Sequence, residues 1–243
     1  TTLVNHHTYR FARRAAVDGL VVIDDPESIL RCTNKVYLAE LLERHRIGAP
    51  KTIIVHRDNQ AEVAKTLGLP CVLKQPDGSF SRGVVKADTE EELAEELARF
   101  LDKSDLVLAQ AFVPTEFDWR IGIIDRKPIY ACRYYMVKKH WQIYHHHEGG
   151  KGPGGFDSGD AEAVRVEEAP KTVVETALRA ANAVGDGFYG VDLKELNGRC
   201  QVIEVNDNPS IDAGYEDKIL GDALYGRIMD VFLDRVRRKR GES

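Results

Sequence analysis

Cysteine is scarce: four residues in 243, at Cys32, Cys71, Cys132 and Cys200, far apart and with no CxxC among them. That spacing disfavours both a zinc ribbon and a disulfide framework, and it fits a reducing, cytoplasmic setting. Long apolar runs are missing too. The longest, such as LVLAQAFV from Leu106 to Val113, fall far short of the about 20 residues that cross a bilayer, so no membrane partner is expected. No basic stretch followed by an apolar one opens the chain, so no export signal is read there. A basic excess is also lacking, with 34 Lys and Arg against 39 Asp and Glu and a net charge of −5. Nucleic acid is therefore not an expected partner. The single basic run, RVRRKR at Arg235 to Arg240, ends a predicted helix and reads as its solvated last turn. No internal repeat and no Ser/His or Cys/His nucleophile signature is visible.

What is present is an ordinary globular balance, 43% hydrophobic and 30% charged. Helical periodicity is expected in NKVYLAELLERHRIG, NQAEVAKTLG, TEEELAEELARFL, Pro170 to Val184, and Ala223 to about Arg238. Strands are expected in KTIIVH, CVLKQ, VVKA, LVLAQAFV, WRIGIID and PIYACRYYMV, the last two joined by a DRKP turn, and in the hairpin FYGVDLKELNGRCQVIEVN. Helices and strands mix without strict βαβ alternation, so the fold class is α+β in two lobes. The chain starts at Thr1 without Met, and residues 1–30 read as the end of a preceding unit.

The stretch VIEVNDNPS, Val202 to Ser210, poses a problem in electrostatics. Alternation sends Glu204 and Asn206 to one face of an otherwise apolar strand. A carboxylate there needs a cation, and the upstream strand YGVDLKEL adds Asp192, a second negative charge. Two carboxylates and an amide oxygen form the hard-oxygen set that Mg²⁺ takes, with Mn²⁺ able to substitute, while phosphate oxygens complete its shell. For Asp192 and Glu204 to share an ion they must face the same way. A plain two-residue Asn197-Gly198 turn forbids this by pairing Asp192 with Ile203, so an odd register, from a three-residue loop or a bulge, is predicted.

Other motifs divide. GDGFYG at Gly185 to Gly190 has the GxGxxG letters but follows a helix and opens a strand, the reverse of a dinucleotide site. GSFSRG at Gly78 to Gly83 lacks the Lys-Ser/Thr of a Walker loop. With Lys74 before it, the loop could close backbone N–H groups over phosphate, or it could be a plain hairpin loop. HHHE at His145 to Glu148 reads better as a polar loop than as zinc ligands, with His147, Trp141 and Tyr144 as candidate substrate contacts.

From about Asp25 to Arg238 the motifs occur in the order found in the ATP-grasp superfamily, and the chain resembles its RimK-like glutamate ligase and glutathione synthetase branch. The resemblance is carried by Asn34-Lys35, VLK ending at Lys74, GSFSRG, LAQAFV, EFDWR at Glu116 to Arg120, GVD ending at Asp192, and IEVND. It implies that Lys35 and Lys74 bind ATP and that Gly78, Ser79, Ser81, Arg82 and Gly83 belong to a lid over the phosphates. It implies further that Gln110, Phe112 and Val113 lie in the hinge beside adenine and that Glu116 or Asp118 holds the ribose. Arg120 and Arg133 match positions near the transferred phosphate, and Asp192, Glu204 and Asn206 match the Mg²⁺ ligands. The family's hinge Glu is Ala111 here.

The implied organisation is a remnant of a preceding domain at 1–30, a small lobe with the lid at 31–112 and a large lobe with the metal site at 113–243. The implied activity is an ADP-forming carboxylate–amine ligase working through an acyl phosphate, adding glutamate or another amino acid to a peptide or small acid. Its partners are thus a small-molecule or peptide carboxylate and an amine, with a homo-oligomer compatible. A nucleotide-binding module without turnover, and a kinase or carboxylate–thiol ligase on the same scaffold, are the alternatives. Removing the charge of Glu204 is expected to leave the fold intact or firmer, by relieving repulsion with Asp192.

Overall fold

The computed structural model describes residues 3–77, 83–138, 140–146 and 156–242. Three helices come first, α1 (Leu3–Val17), α2 (Pro26–Thr33) and α3 (Lys35–Arg44). Asp25 caps α2 by accepting the backbone N–H groups of Glu27 and Ser28, and Pro26 takes the first helical position, where its missing N–H is harmless. Asn34 ends α2 and caps α3, its side-chain oxygen accepting from Val36 and Tyr37 N–H. Lys35 is thereby fixed as the first residue of α3.

Next come β1 (Thr52–Val55), α4 (Val63–Leu67), β2 (Cys71–Lys74), β3 (Val84–Ala87), α5 (Glu90–Leu101) and β4 (Val107–Ala111). Among the described residues their strands form an antiparallel sheet in the order β1-β4-β2-β3. Helix α5 starts at a capping box in which Thr89 takes the Glu92 N–H and the Glu92 carboxylate takes the Asp88 N–H. Its Leu93, Leu97, Phe100 and Leu101 recur at helical spacing and share a core with Val55, Leu73 and Val107.

The rest comprises β5 (Phe117–Ile124), β6 (Lys127–Tyr135), β7 (Tyr144–His146), β8 (Phe156–Ser158), β9 (Ala161–Val164), α6 (Lys171–Val184), β10 (Phe188–Leu196), β11 (Arg199–Asp207) and α7 (Asp222–Arg240). A second antiparallel sheet runs β11-β10-β5-β6-β9, and β7 pairs with β8. The β5–β6 hairpin turns on Asp125 and Arg126, both at positive φ (48° and 64°), in the DRKP segment predicted to turn. Helix α6 lays Val173, Ala177, Ala180 and Val184 against Trp119, Ile121, Val191 and Val205. Helices combined with antiparallel sheets give the expected α+β class.

Cys32, Leu38, Leu42 and Ile47 pack in the core of the second sheet. The four-residue spacing of Leu38 and Leu42 dictates that one face of α3 is buried, but not which sheet covers it. No described helix is long and apolar enough to cross a membrane.

Candidate active site

The Asn197-Gly198 turn has both residues at positive φ (53° and 74°) and pairs Leu196 with Arg199. Continued without interruption, this register would set Asp192 opposite Ile203. Instead the register shifts between Asp192 and Leu193: Leu193 pairs with Val202, Asp192 pairs with Glu204, and Ile203 is the extra residue. The predicted bulge is present, and the two carboxylates are cross-strand neighbours. Val202 and Val205 stay in the core while Ile203 and Glu204 border a cleft. Asn206 lies opposite Gly190, its Nδ2 donating to Asp192 Oδ2 at 3.0 Å.

The same face continues across β5. Arg120, opposite Asp192, grips both carboxylate oxygens, with Nε to Oδ1 at 2.7 Å and Nη2 to Oδ2 at 2.9 Å. Its guanidinium lies 4.8 Å from the centroid of the Tyr134 ring. Burial alone would lower the pKa of Arg120, but Asp192 outweighs it and the net shift is upward. Two residues along each strand the polarity reverses: Lys194 Nζ donates to Asp118 Oδ1 at 2.6 Å and to Thr115 Oγ1 at 2.8 Å. Burial raises the Asp118 pKa, and the Lys194 charge is the chief influence opposing it.

Two lysines complete the charge set. Lys35 Nζ donates to Glu204 Oε1 at 2.8 Å. Lys74, at the end of β2, has its pKa pushed down to about 8, by burial first and then by Lys35 and Lys194, with Glu204 and Asp118 pulling the other way. Burial alone would raise the Glu204 carboxyl, but Lys35, then Lys74 and Arg120, overcome it and hold the group below the usual carboxylate range.

These groups border a cleft between the two sheets. Lys35, Lys74, Asp192 and Glu204 line it, as does the segment from Gln110 to Val113. Gln110 Nε2 is engaged by Thr52 Oγ1 at 3.0 Å, and Phe112 meets Trp141 edge-on with centroids 6.0 Å apart. Asp192, Glu204 and Asn206 present only oxygens as donors once the Asn206 amide is turned, which fits Mg²⁺ or Mn²⁺ rather than a soft metal. Among the described residues no group of three or more His, Cys, Asp and Glu stands where it could hold a metal ion.

Of the predicted site residues, Lys35, Lys74, Gln110, Phe112, Val113, Asp118, Asp192 and Glu204 border the cleft, and Arg120 and Asn206 hold Asp192. Glu116 is exposed and does not line the cleft. Arg133 is a correction. It pairs with Trp119, whose ring is in the core, so it points to the face opposite Arg120, where it stacks 4.8 Å from Trp119 and bonds Glu162 at 3.2 Å. Gly83, at φ +70°, accepts the Gln75 N–H at 2.9 Å and closes the base of its loop. Gly78, Ser79, Ser81 and Arg82 lie outside the described residues, as do His147 and Glu148. Trp141 borders the cleft as a candidate contact, and Gln142, Ile143, Ile203 and Lys194 join it without having been singled out from sequence. Lys194 carried a usable signal, since it stands two residues from Asp192 on one strand.

A family model described as "D-ala D-ala ligase C-terminus" matches residues 47–213. Among curated relatives, the alpha-aminoadipate–LysW ligase LysX of Saccharolobus solfataricus is 32% identical over 199 residues, 79% of this chain and 67% of that protein. A probable alpha-L-glutamate ligase of Vibrio vulnificus is 26% identical over 204 residues, 82% of this chain and 64% of its own length. This chain thus spans about two thirds of those relatives. The D-alanine–D-alanine ligase of Bacillus anthracis complexed with ATP superposes with a TM-score of 0.72 at 19% identity, over 95% of this chain and 76% of that one. A RimK domain ATP-grasp protein of Sphaerobacter thermophilus does so with a TM-score of 0.64 at 18% identity, over 93% and 74%.

Proposed function

Since this chain belongs to the ATP-grasp ligases, in the RimK-like branch that shares the D-Ala–D-Ala ligase C-terminal domain, we propose that it uses ATP to join a carboxylate to an amine. The observation that carries the proposal is the bulge at Ile203, which turns Glu204 onto the face of Asp192 and opposite Lys35 and Lys74. In this reading the two sheets are lobes, with the base of ATP beside Gln110 to Val113 and its phosphates at Lys35 and Lys74.

A carboxylate is a poor acylating agent. Transfer of the γ-phosphoryl group to a carboxylate oxygen breaks the bond to the β-phosphate, releases ADP and gives an acyl phosphate. The amine nitrogen then attacks the carbonyl carbon, phosphate leaves and the amine loses a proton. Lys35, Lys74 and Arg120 bind and neutralise charge around the transferring group, the main contribution of a protein to such chemistry. Asp192, Glu204 and Asn206 would hold Mg²⁺, which when bound neutralises phosphate oxygens. The loop at 78–82 would cover the phosphates and exclude water, which would otherwise hydrolyse the acyl phosphate.

The amine is an amino acid, and the names of the relatives make acidic ones such as glutamate and α-aminoadipate the first to assay, with a peptide or small acid as acceptor. The test is steady-state ADP release that is fastest with acid and amine together. Release with neither or with the amine alone, or no release across such a panel, overturns the reading.

A further inference from the structure

Two ion pairs of opposite polarity lie side by side on the cleft face of β5 and β10. Asp192 with Arg120 forms one, and Lys194 with Asp118 the other. Moving from Asp192 to Lys194 travels about 7 Å along β10. The direction is away from Glu204 and toward Thr115, which follows the Gln110 to Val113 segment by two residues. If phosphates lie at one end of the cleft and a base at the other, the second pair stands where the sugar must pass. This rests on the nucleotide reading above.

The geometry points to Lys194 as the positioning residue of a sugar-reading carboxylate. Lys194 spends one N–H on Asp118 Oδ1 and one on Thr115 Oγ1. Both its side chain and that of Asp118 are largely buried, at 11% and 15% exposure. Thr115 Oγ1 also approaches the same oxygen at 3.3 Å. Oδ1 is therefore saturated from one side. These bonds hold one oxygen of the carboxylate and leave Oδ2 to accept a sugar hydroxyl. A carboxylate this buried tends to take a proton, and the ammonium of Lys194 opposes that. A structural role alone would require the pair to bind the strands together and nothing more; a positioning role makes affinity depend on the sugar.

Calorimetry with ATP, 2′-deoxy-ATP and 3′-deoxy-ATP tests this on wild type and on Lys194→Met. A hydrogen bond to a charged group corresponds to about 10- to 100-fold in affinity, so wild type should bind at least one deoxy analogue about tenfold or more weaker than ATP. In Lys194→Met, ATP should fall to the level of that analogue and the ratio should collapse toward one. Lys194→Arg should restore it. If Lys194→Met does not fold, Lys194→Gln, which retains a donor without the charge, should also lose most of the ratio. A wild-type ratio of one, or a ratio unchanged in the folded neutral variant, overturns this inference while leaving the nucleotide reading intact. Wild type that binds none of the three overturns both.

Discussion

Glu204→Gln tests the site and the fold together. The Glu204 carboxylate accepts from Lys35 Nζ at 2.8 Å, and the lysine side chain is only 9% exposed. Lys74 is buried beside them and already titrates near 8, with Glu204 the chief charge holding it up. The variant leaves one buried ammonium facing a neutral acceptor and removes the main support of the other. Breaking a buried pair by deleting one charge costs about 3–5 kcal/mol. The retained amide oxygen and the partial exposure of Glu204 reduce the expected loss to about 1–3 kcal/mol. This reverses the expectation from sequence that relief of repulsion with Asp192 would leave the fold firmer, because Arg120 already neutralises Asp192. Urea unfolding at pH 7 without nucleotide measures the difference. The folded pKa of Glu204 lies below its unfolded value of about 4.5, so its contribution is complete above that pH and disappears as pH falls through the lower folded value. The gap between the two proteins should therefore close in acid. ADP formation by the variant should drop by orders of magnitude, since positioning and charge neutralisation are nearly all that the protein contributes to phosphoryl transfer. A variant as stable as wild type at pH 7 refutes the pairing argument, and near wild-type turnover refutes the metal assignment.

Lys74 should give nucleotide affinity a pH dependence. An anion binds its protonated form, so affinity should weaken as pH rises through about 8, and Lys74→Met should bind weakly with a flat profile between pH 7 and 9. A sloped profile that survives the substitution would assign it elsewhere. Arg120→Lys gives up the two-pronged grip on Asp192 and should slow ADP formation about tenfold or more, whereas Arg133→Met, on the other face, should stay within about twofold. Equal losses would return Arg133 to the site. At Gly122 an added Cβ would run into the Tyr130 ring, so Gly122→Ala should lower stability by about 1–3 kcal/mol, read as a reduced urea midpoint at unchanged slope. An unchanged midpoint would mean that the ring yields freely.

Most elements were legible because each obeys a local rule, but β7, β8 and β9 were not: β7 lies where His145 and its neighbours read as a polar loop. The capping residues Asp25, Asn34 and Thr89 mark helix starts, and alternation marks β10 and β11. Even the bulge followed from two local facts, an Asn-Gly turn and two carboxylates that need one partner. Facing across strands is a different matter. Parity within a strand is fixed by sequence, so Lys194 could have been read from Asp192. Parity between Arg120 and Arg133 depends on a pairing that is itself irregular between Gly122 and Ile123, and no local rule supplies it. The placement of α3 was hidden for a similar reason: its stripe announces burial without naming the sheet.

The pairing pattern also explains why an apolar strand tolerates Glu204. Each of the three carboxylates bordering the cleft has its own cation: Lys35 for Glu204, Arg120 for Asp192, Lys194 for Asp118. Such buried pairs are poor sources of stability, because desolvation takes back most of the attraction. They do keep both partners charged and fixed where a ligand needs them. On the proposed reading, arrival of metal and triphosphate is an exchange of partners in which Glu204 and Asp192 turn to the cation while Lys35 and Arg120 turn to phosphate. Lys194 and Asp118 stand outside that exchange, since neither is asked to give up the other. The same preference separates the two pairs experimentally: nucleotide with Mg²⁺ should loosen the Lys35–Glu204 contact and leave Lys194–Asp118 closed. Nitrogen-15 NMR of the lysine ammonium groups would follow both, and a Lys194 signal that shifts as far as that of Lys35 would count against the division.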